Sequence, residues 1–358
     1  MFLLSLYNRL IPHAMEEKSD RRIFLKQLGV GGITAGVIPA SYLATDPRVT
    51  TPPKQKGNKS GAQRAYNAPY SGEHLNHIAF PLGGMGTGMF CVEGTGAISH
   101  MSVRNRPEIF HEPGMFAAIS VKGTEHGAKV LEGPVPDWKK FGRPGAGNGS
   151  SGSTIGLPRF QNAMFTTQFP FCSIDLDDTD LPIQVKLTCW NPFIPTDADN
   201  SSLPVAALEY RITNKESSPV EGVFSYNSRN FLRIDNGRNA ISGMPGGFVL
   251  SEAGTEAKPL RSDFAIFTDN DNAVVDHCWF RGGWWDPLTM AWNTIRGGET
   301  KSIDPAPSDA PGASLFVPFR LLPGAAQTIR VMMAWYTPET DLSYGKSGAP
   351  EECDPASG

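Results

Sequence analysis

Phe171-Cys172-Ser173-Ile174-Asp175-Leu176-Asp177 and Ile183-Gln184-Val185-Lys186-Leu187-Thr188-Cys189 are the segments whose reading decides the fold. Each alternates strictly between apolar and polar residues, the period of a strand with one buried face. Cys172, Ile174 and Leu176 share one side of the first; Ile183, Val185, Leu187 and Cys189 share one side of the second. The loop Thr179 to Pro182 is short enough for an antiparallel hairpin. Its register puts Cys172 opposite Cys189 and Leu176 opposite Val185, since a one-residue slip would expose the whole apolar set. The two cysteines are then either a buried thiol pair, which an apolar site favours, or a disulfide.

The pattern continues downstream. Residues 205–213 place Ala206, Leu208, Tyr210 and Ile212 on one face, and residues 220–227 place Gly222, Phe224 and Tyr226 on one face. Asn214-Lys215-Glu216-Ser217-Ser218-Pro219 between them is turn chemistry. Residues 314–321 and 327–336 read as another pair around Leu322-Pro323-Gly324. No run of about 12 residues after Ala68 keeps a helical apolar period without Gly or Pro interrupting it. Gly (38) and Pro (30) are frequent enough to make many tight turns, while 40% hydrophobic residues still supply a core. The expected fold is all-β, a large two-sheet antiparallel sandwich. The glycine-rich stretch 142–156 reads as a long flexible loop.

The ends of the chain differ from its middle. Ser19-Asp20-Arg21-Arg22-Ile23-Phe24-Leu25-Lys26 has the form of a twin-arginine export signal, followed by a weakly apolar, glycine-loosened stretch. Residues 1–44 are therefore expected to be an export leader, with Met15 the true start and the periplasm or cell envelope the destination. That stretch is too glycine-rich for a good membrane span, although an uncleaved leader would tether the protein. Residues 45–71 are rich in Pro, Lys, Gly, Asn and Ser and read as a disordered linker. Residues 72–338 then form one β domain, and 339–358 a further linker.

Charge and motifs exclude more than they nominate. With a net charge of −4, nothing suggests a basic surface for nucleic acid. The five cysteines have no C-x-x-C spacing, so neither a zinc site nor another metal or cofactor is expected. Gly83-Gly84-Met85-Gly86-Thr87-Gly88 fails as a phosphate loop, because no Gly-Lys-Ser/Thr follows and the next residues are strand-like. It reads as a turn needing positive φ or close backbone packing. Arg104, Asn105, Arg106 and Glu108, crowded beside Ile109 and Phe110, are candidates for a domain interface or active-site rim, or else for a local Arg–Glu pair. Trp279, Trp284, Trp285 and Trp292 serve packing or docking, or form a platform on which sugar faces stack. Trp284 and Trp285 join the candidate rim. Glycoside hydrolysis needs two carboxylates flanking the bond. Asp175, Asp177, Asp178 and Asp180 read as solvated charges of one hairpin, and Glu108 and Glu112 lack support as a pair. No catalytic residue is nominated.

The run Ile-Ala-Phe-Pro-Leu-Gly-Gly-Met-Gly-Thr-Gly-Met-Phe from Ile78, continuing through Ser102-Val103-Arg104-Asn105-Arg106-Pro107-Glu108, resembles the amino-terminal domain of glycoside hydrolase family 116. This is the β-glucosidase family that includes the non-lysosomal glucosylceramidases. Pro192-Phe193-Ile194-Pro195, residues 199–206, Phe280-Arg281-Gly282-Gly283-Trp284-Trp285-Asp286-Pro287 and residues 312–319 extend the resemblance. It implies a β-sandwich packed against an (α/α)6 catalytic barrel that is missing from this sequence. There a glutamate nucleophile and an aspartate acid/base would carry out retaining hydrolysis of β-glucosides. No position here corresponds to those two residues. The chain is therefore expected to be a non-catalytic part of an exported glycosidase, the β-glucoside substrate being bound through the missing domain. The alternative is a self-standing carbohydrate-binding module.

Overall fold

The computed structural model describes residues 68–105, 107–141, 154–256 and 260–339. The leader with Arg21 and Arg22, the linker before residue 68, Arg106, residues 142–153 and the segment after 339 lie outside the described residues. The first strands are β1 (Tyr70–Ser71), β2 (Ala79–Leu82), β3 (Met89–Glu93), β4 (Ile98–Ser102), β5 (Met115–Val121) and β6 (Ala128–Val130). Next come β7 (Asn162–Gln168), β8 (Phe171–Asp177), β9 (Ile183–Trp190), β10 (Val205–Asn214), β11 (Val220–Arg229) and β12 (Asn239–Met244). The last are β13 (Gly247–Glu252), β14 (Ser262–Phe267), β15 (Val274–Asp276), β16 (Gly312–Leu321) and β17 (Ala326–Tyr336). The α-helices are α1 (Asp137–Phe141), α2 (Ala198–Ser201) and α3 (Pro287–Arg296).

The strands form a nine-stranded sheet, β1-β7-β8-β9-β10-β17-β14-β13-β12, a five-stranded sheet, β15-β16-β11-β5-β6, and a three-stranded sheet, β2-β3-β4. The fold is the expected all-β sandwich. The β8–β9 hairpin has the expected register, with Cys172 opposite Cys189 and Leu176 opposite Val185. Both cysteines are buried free thiols, and burial pushes the Cys189 thiol well above its ordinary pKa. Tyr70 and Ser71, at the end of the stretch read as a linker, already pair with Phe165 and Met164.

Two expectations are corrected. The segments 314–321 and 327–336 do not pair with each other. β16 lies in the five-stranded sheet and β17 in the nine-stranded one, so their connection is an arch between layers. The physical reason is burial. Leu315, Val317 and Phe319 of β16 and Ile329, Val331 and Met333 of β17 contribute to the same apolar core from opposite sheets. β10 and β11 are divided between the sheets in the same way. Asp178 is likewise no solvated charge. It is fully buried, and its Oδ2 accepts from Lys129 Nζ at 2.6 Å and from the Gln161 N–H at 3.1 Å. Its Oδ1 accepts from the Asp180 N–H at 2.9 Å. Lys129 belongs to β6, so this buried pair ties the hairpin turn of one sheet to the edge of the other.

The five-stranded sheet is buried on both faces. Ala117, Ile119 and Val121 of β5 face the main core, whereas Phe116 and Ala118 pack with Val223, Phe316 and Trp279 beneath α3. This helix went unread because it is short and lies in the tryptophan-rich segment. Its signals are nonetheless present. Asp286 caps it by accepting from the Thr289 N–H at 3.0 Å, and Pro287 opens it. Leu288, Trp292 and Ile295, on one face, are its buried residues. Trp279 Nε1 donates to Ser314 Oγ at 2.8 Å, and Ser314 Oγ donates to Asn227 Oδ1 at 2.7 Å, satisfying polar groups under this cover. Among the described residues no helix is long and apolar enough to cross a membrane.

Asn214 holds the two arches together. Its Nδ2 donates to the carbonyls of Ser218 (2.8 Å), Leu321 (3.2 Å) and Leu322 (3.1 Å), and its Oδ1 accepts from the Glu216 N–H at 2.8 Å. Its own N–H donates to the Ala325 carbonyl at 2.9 Å. The side chain is buried, so truncating it leaves the buried Leu321 carbonyl without this donor. Asn214→Ala is expected to lower unfolding stability by about 1–3 kcal/mol, read as a lower urea midpoint at unchanged slope.

Candidate functional site

The glycine run after β2 is a packed turn, as its sequence suggests. Gly83, with φ at +143°, sits against the Trp335 ring, and a Cβ on Gly84 would run into the Leu203 carbonyl. Trp335 Nε1 donates to the Thr87 carbonyl at 2.6 Å. The turn thus fastens the β2–β3 connection to the final strand and to the α2 region. Its glycines are needed for close approach.

Arg104 and Asn105 follow β4 and reach distant backbone. Arg104 Nη2 donates to the Phe231 carbonyl at 3.3 Å. Asn105, at φ +59°, donates through Nδ2 to the carbonyls of Thr337 (3.4 Å) and Glu339 (3.2 Å), just beyond β17. Glu108 instead bonds locally: its Oε2 lies 2.8 Å from His111 Nδ1, and its N–H donates to Ser102 Oγ at 2.9 Å. The candidate rim residues therefore separate by role. Arg104 and Asn105 anchor loop and chain end, Glu108 stabilises its own turn, and Arg106 lies outside the described residues.

The tryptophans also divide. Trp279 and Trp292 are buried beneath the five-stranded sheet. Trp284 is 94% exposed and Trp285 64%. Asp286, which follows them, lies 3.8 Å from Arg229 Nη2, and Arg229 lines a cleft at the end of the sandwich. Neither exposed tryptophan is among the residues that line it.

The cleft has a volume of about 490 Å³ and opens between the β3–β4 hairpin, the loop leading into β5, and the segment from Glu132 to α1. Lys139 of α1 stands at its centre. The Lys139 Nζ donates to Glu93 Oε1 at 2.7 Å and to Glu112 Oε1 at 2.5 Å. Burial opposes the lysine charge, but the two glutamates more than offset it, so its pKa lies above the ordinary 10.5. A second buried pair joins Arg159 Nε to Glu132 Oε2 at 3.1 Å. The same arginine donates through Nη1 to the carbonyls of Thr154, Ile155 and Leu157. Burial, and then the charge of Glu93, push the Cys91 thiol up to about 11, which removes it as a nucleophile.

Glu93, Glu132 and Lys139 escaped the sequence reading because Glu112 on a loop, Glu93 ending a strand and Lys139 on a five-residue helix share no local pattern. Convergence alone does not make Glu93 and Glu112 a hydrolytic pair. Such a pair stands with its carboxyl groups about 5 Å or more apart, on either side of the glycosidic bond. Here one ammonium bonds both carboxylates and fills the place between them. Among the described residues, no group of three or more His, Cys, Asp or Glu is placed to hold a metal ion.

Residues 79–351 match the family model described as beta-glucosidase 2, glycosyl-hydrolase family 116 N-term. The chain belongs to this family, as its amino-terminal domain. No curated protein matches it. Two solved structures resemble this family 116 domain distantly. One is a family GH92 α-mannosidase from Bacteroides thetaiotaomicron, at 10% identity and a TM-score of 0.33, covering 74% of this chain and 32% of that one. The other is a polysaccharide lyase, at 12% identity and a TM-score of 0.28, covering 69% of this chain and 31% of that one. The chain thus spans about a third of the length of each.

The Glu108–His111 contact makes this domain's stability depend on pH. The hydrogen bond to Glu108 raises the His111 pKa above its ordinary 6.5, burial pulls it down, and the Met101 carbonyl adds to the rise. A folded-state pKa above the unfolded one stabilises fully below pH 6.5 and is lost as pH rises through the folded value. The melting temperature of the wild type is expected to exceed that of Glu108→Gln at pH 6, with the gap narrowing as pH rises through the folded-state pKa of His111. Thermal melts of both across that rise test this.

Proposed function

We propose that this chain is the non-catalytic β-sandwich of an exported glycoside hydrolase acting on β-glucosides. It braces a separate (α/α)6 catalytic domain and shapes one side of the substrate entrance. Membership of family 116 through its amino-terminal domain carries the reading. The pairing of Glu93 and Glu112 with Lys139 supports the non-catalytic part, because the ammonium bonded to both occupies the place between them. The Asn105 bonds to residues 337 and 339 support a bracing role, since they fix the direction in which the chain leaves the sandwich. In the intact enzyme, hydrolysis proceeds by double displacement. One carboxylate attacks the anomeric carbon while another protonates the leaving oxygen, and water then releases the sugar. Both carboxylates belong to the catalytic domain.

The chain alone is expected not to turn over an aryl β-glucoside, whereas the same chain continuous with its catalytic domain does. Turnover by the 358 residues alone, abolished by Glu112→Gln, would overturn the reading.

A second reading, a self-standing carbohydrate-binding module, draws on the exposure of Trp284 and Trp285. Its signature is sugar binding by the isolated chain that is lost on replacing both tryptophans while the fold is retained.

Export rests on the arginine pair. Cell fractionation is expected to find the wild-type chain outside the cytoplasm and the Arg21→Lys/Arg22→Lys variant retained within it. Equal export of the two would remove the twin-arginine route.

A further inference from the structure

We infer that the cleft around Lys139 is a binding subsite for a neutral saccharide, with the Trp138 ring as its stacking wall and the Glu112 carboxylate as a hydroxyl acceptor. The choice of β-linked glucose within that class rests on the function proposed above; the cleft's preference for an uncharged, hydroxyl-rich ligand does not.

The volume of about 490 Å³ lies within the range of small-molecule sites. The chemistry of the lining selects the ligand class. Three carboxylates, Glu93, Glu112 and Glu132, face three cations, Lys139, Arg159 and Arg229. Each cation is already engaged. Lys139 bonds two of the glutamates, Arg159 bonds the third, and Arg229 lies against Asp286. Lys139 carries one positive charge against two glutamates, so the triad stays net negative, and an anionic ligand would have to break a buried pair to free a cation, which is strongly unfavourable. A neutral polyol breaks none. The Glu112 side chain lines the cleft and is 46% exposed; Lys139 takes its Oε1, and the carboxylate keeps further lone pairs to accept from a hydroxyl. Ser99 and His100, bonded to each other at 2.8 Å, and His111 add donors and acceptors on the opposite wall.

The aromatic groups supply the other half of a sugar site. The axial C–H faces of a pyranose are apolar and pack on flat rings, while its hydroxyls need hydrogen-bonding partners around the edge. Trp138 is 44% exposed and Phe110 is 53% exposed, both on the cleft wall. An exposed tryptophan on a short surface helix would ordinarily turn with its side-chain torsions. Here the Lys139 ammonium stands 5.4 Å from the Trp138 ring centroid, a cation–π contact that favours one ring orientation. Because Lys139 is itself fixed by Glu93 and Glu112, the charge triad orients the stacking ring. A preorganised wall of this kind reduces the ordering cost of binding.

Titration of the whole chain with cellobiose, maltose and glucuronate, followed by calorimetry and tryptophan fluorescence, tests the inference. Saturable binding of a neutral disaccharide is expected, with glucuronate binding more weakly. Trp138→Ala should weaken that binding about tenfold, and Trp138→Phe, which keeps a flat ring, should restore most of it, both at an unchanged melting temperature. Trp284→Ala/Trp285→Ala should leave disaccharide binding at Trp138 nearly intact. Binding of neither disaccharide overturns the inference, as does binding indifferent to Trp138→Ala, abolished by the Trp284/Trp285 replacement, or tighter for glucuronate. Equal binding of maltose and cellobiose would leave the saccharide site standing while removing this cleft's support for β-glucoside selectivity. The hydrolysis assay of the intact enzyme is independent of every one of these outcomes.

Discussion

The five-stranded sheet is buried on both of its faces, and the rest of the molecule is arranged to satisfy that constraint. A sheet in an ordinary sandwich offers one face to the core and one to water, so its strands alternate. β5 is buried at every position from Met115 to Val121. Its inner face is covered by the nine-stranded sheet. Its outer face needs a second cover, which α3 and the segment around Trp279 provide. Removing either layer would expose apolar side chains of β5.

The candidate functional surfaces follow from that arrangement. To bring α3 across the sheet, the chain passes from Trp279 through a glycine-rich bend to Asp286, and the two tryptophans in the bend are left in solvent. The same traverse sets Asp286 beside Arg229, whose backbone ends β11 and whose side chain lines the cleft. The cleft's floor depends equally on long-range packing. Glu93 closes the three-stranded sheet, Glu112 precedes β5, and Lys139 sits on a single turn of helix after β6. Two sheets and a helix meet at one ammonium. Buried ion pairs of this kind add little net stability when compared with apolar replacements, but losing one partner is costly because the other remains buried. The triad therefore fixes geometry more than it adds stability, which suits a wall that must present a ring in one orientation.

Polar groups also join the layers where apolar contact ends. Lys129 and Asp178 bond across the two sheets at one edge, and Asn214 gathers both arches at another. The two arches explain why adjacent strand segments with a tight turn between them need not form a hairpin. Alternation gives the face that each strand buries, but two strands that bury into the same core can lie in one sheet or in facing sheets. The turn sequences Asn214–Pro219 and Leu322-Pro323-Gly324 serve either outcome, and the sequence reading chose the hairpin for the second pair.

Local pattern determined the strands β8 to β11, β16 and β17, the β8–β9 register with Cys172 opposite Cys189, the sandwich class and, through several ordered motifs, the family. These are legible because a period of two and a short loop leave a single register that buries the apolar face. The positive-φ glycines of the turn after β2 were legible for the same local reason. What only the tertiary structure decided was which strands pair across long separations, that a ten-residue helix covers an outer face, and that Asp178 is buried. It alone brought Glu93, Glu112, Glu132 and Lys139 to one cleft. Each of these depends on residues tens of positions apart meeting in space. Burial and charge pairing, the quantities that give such residues their roles, arise only when layers close over one another.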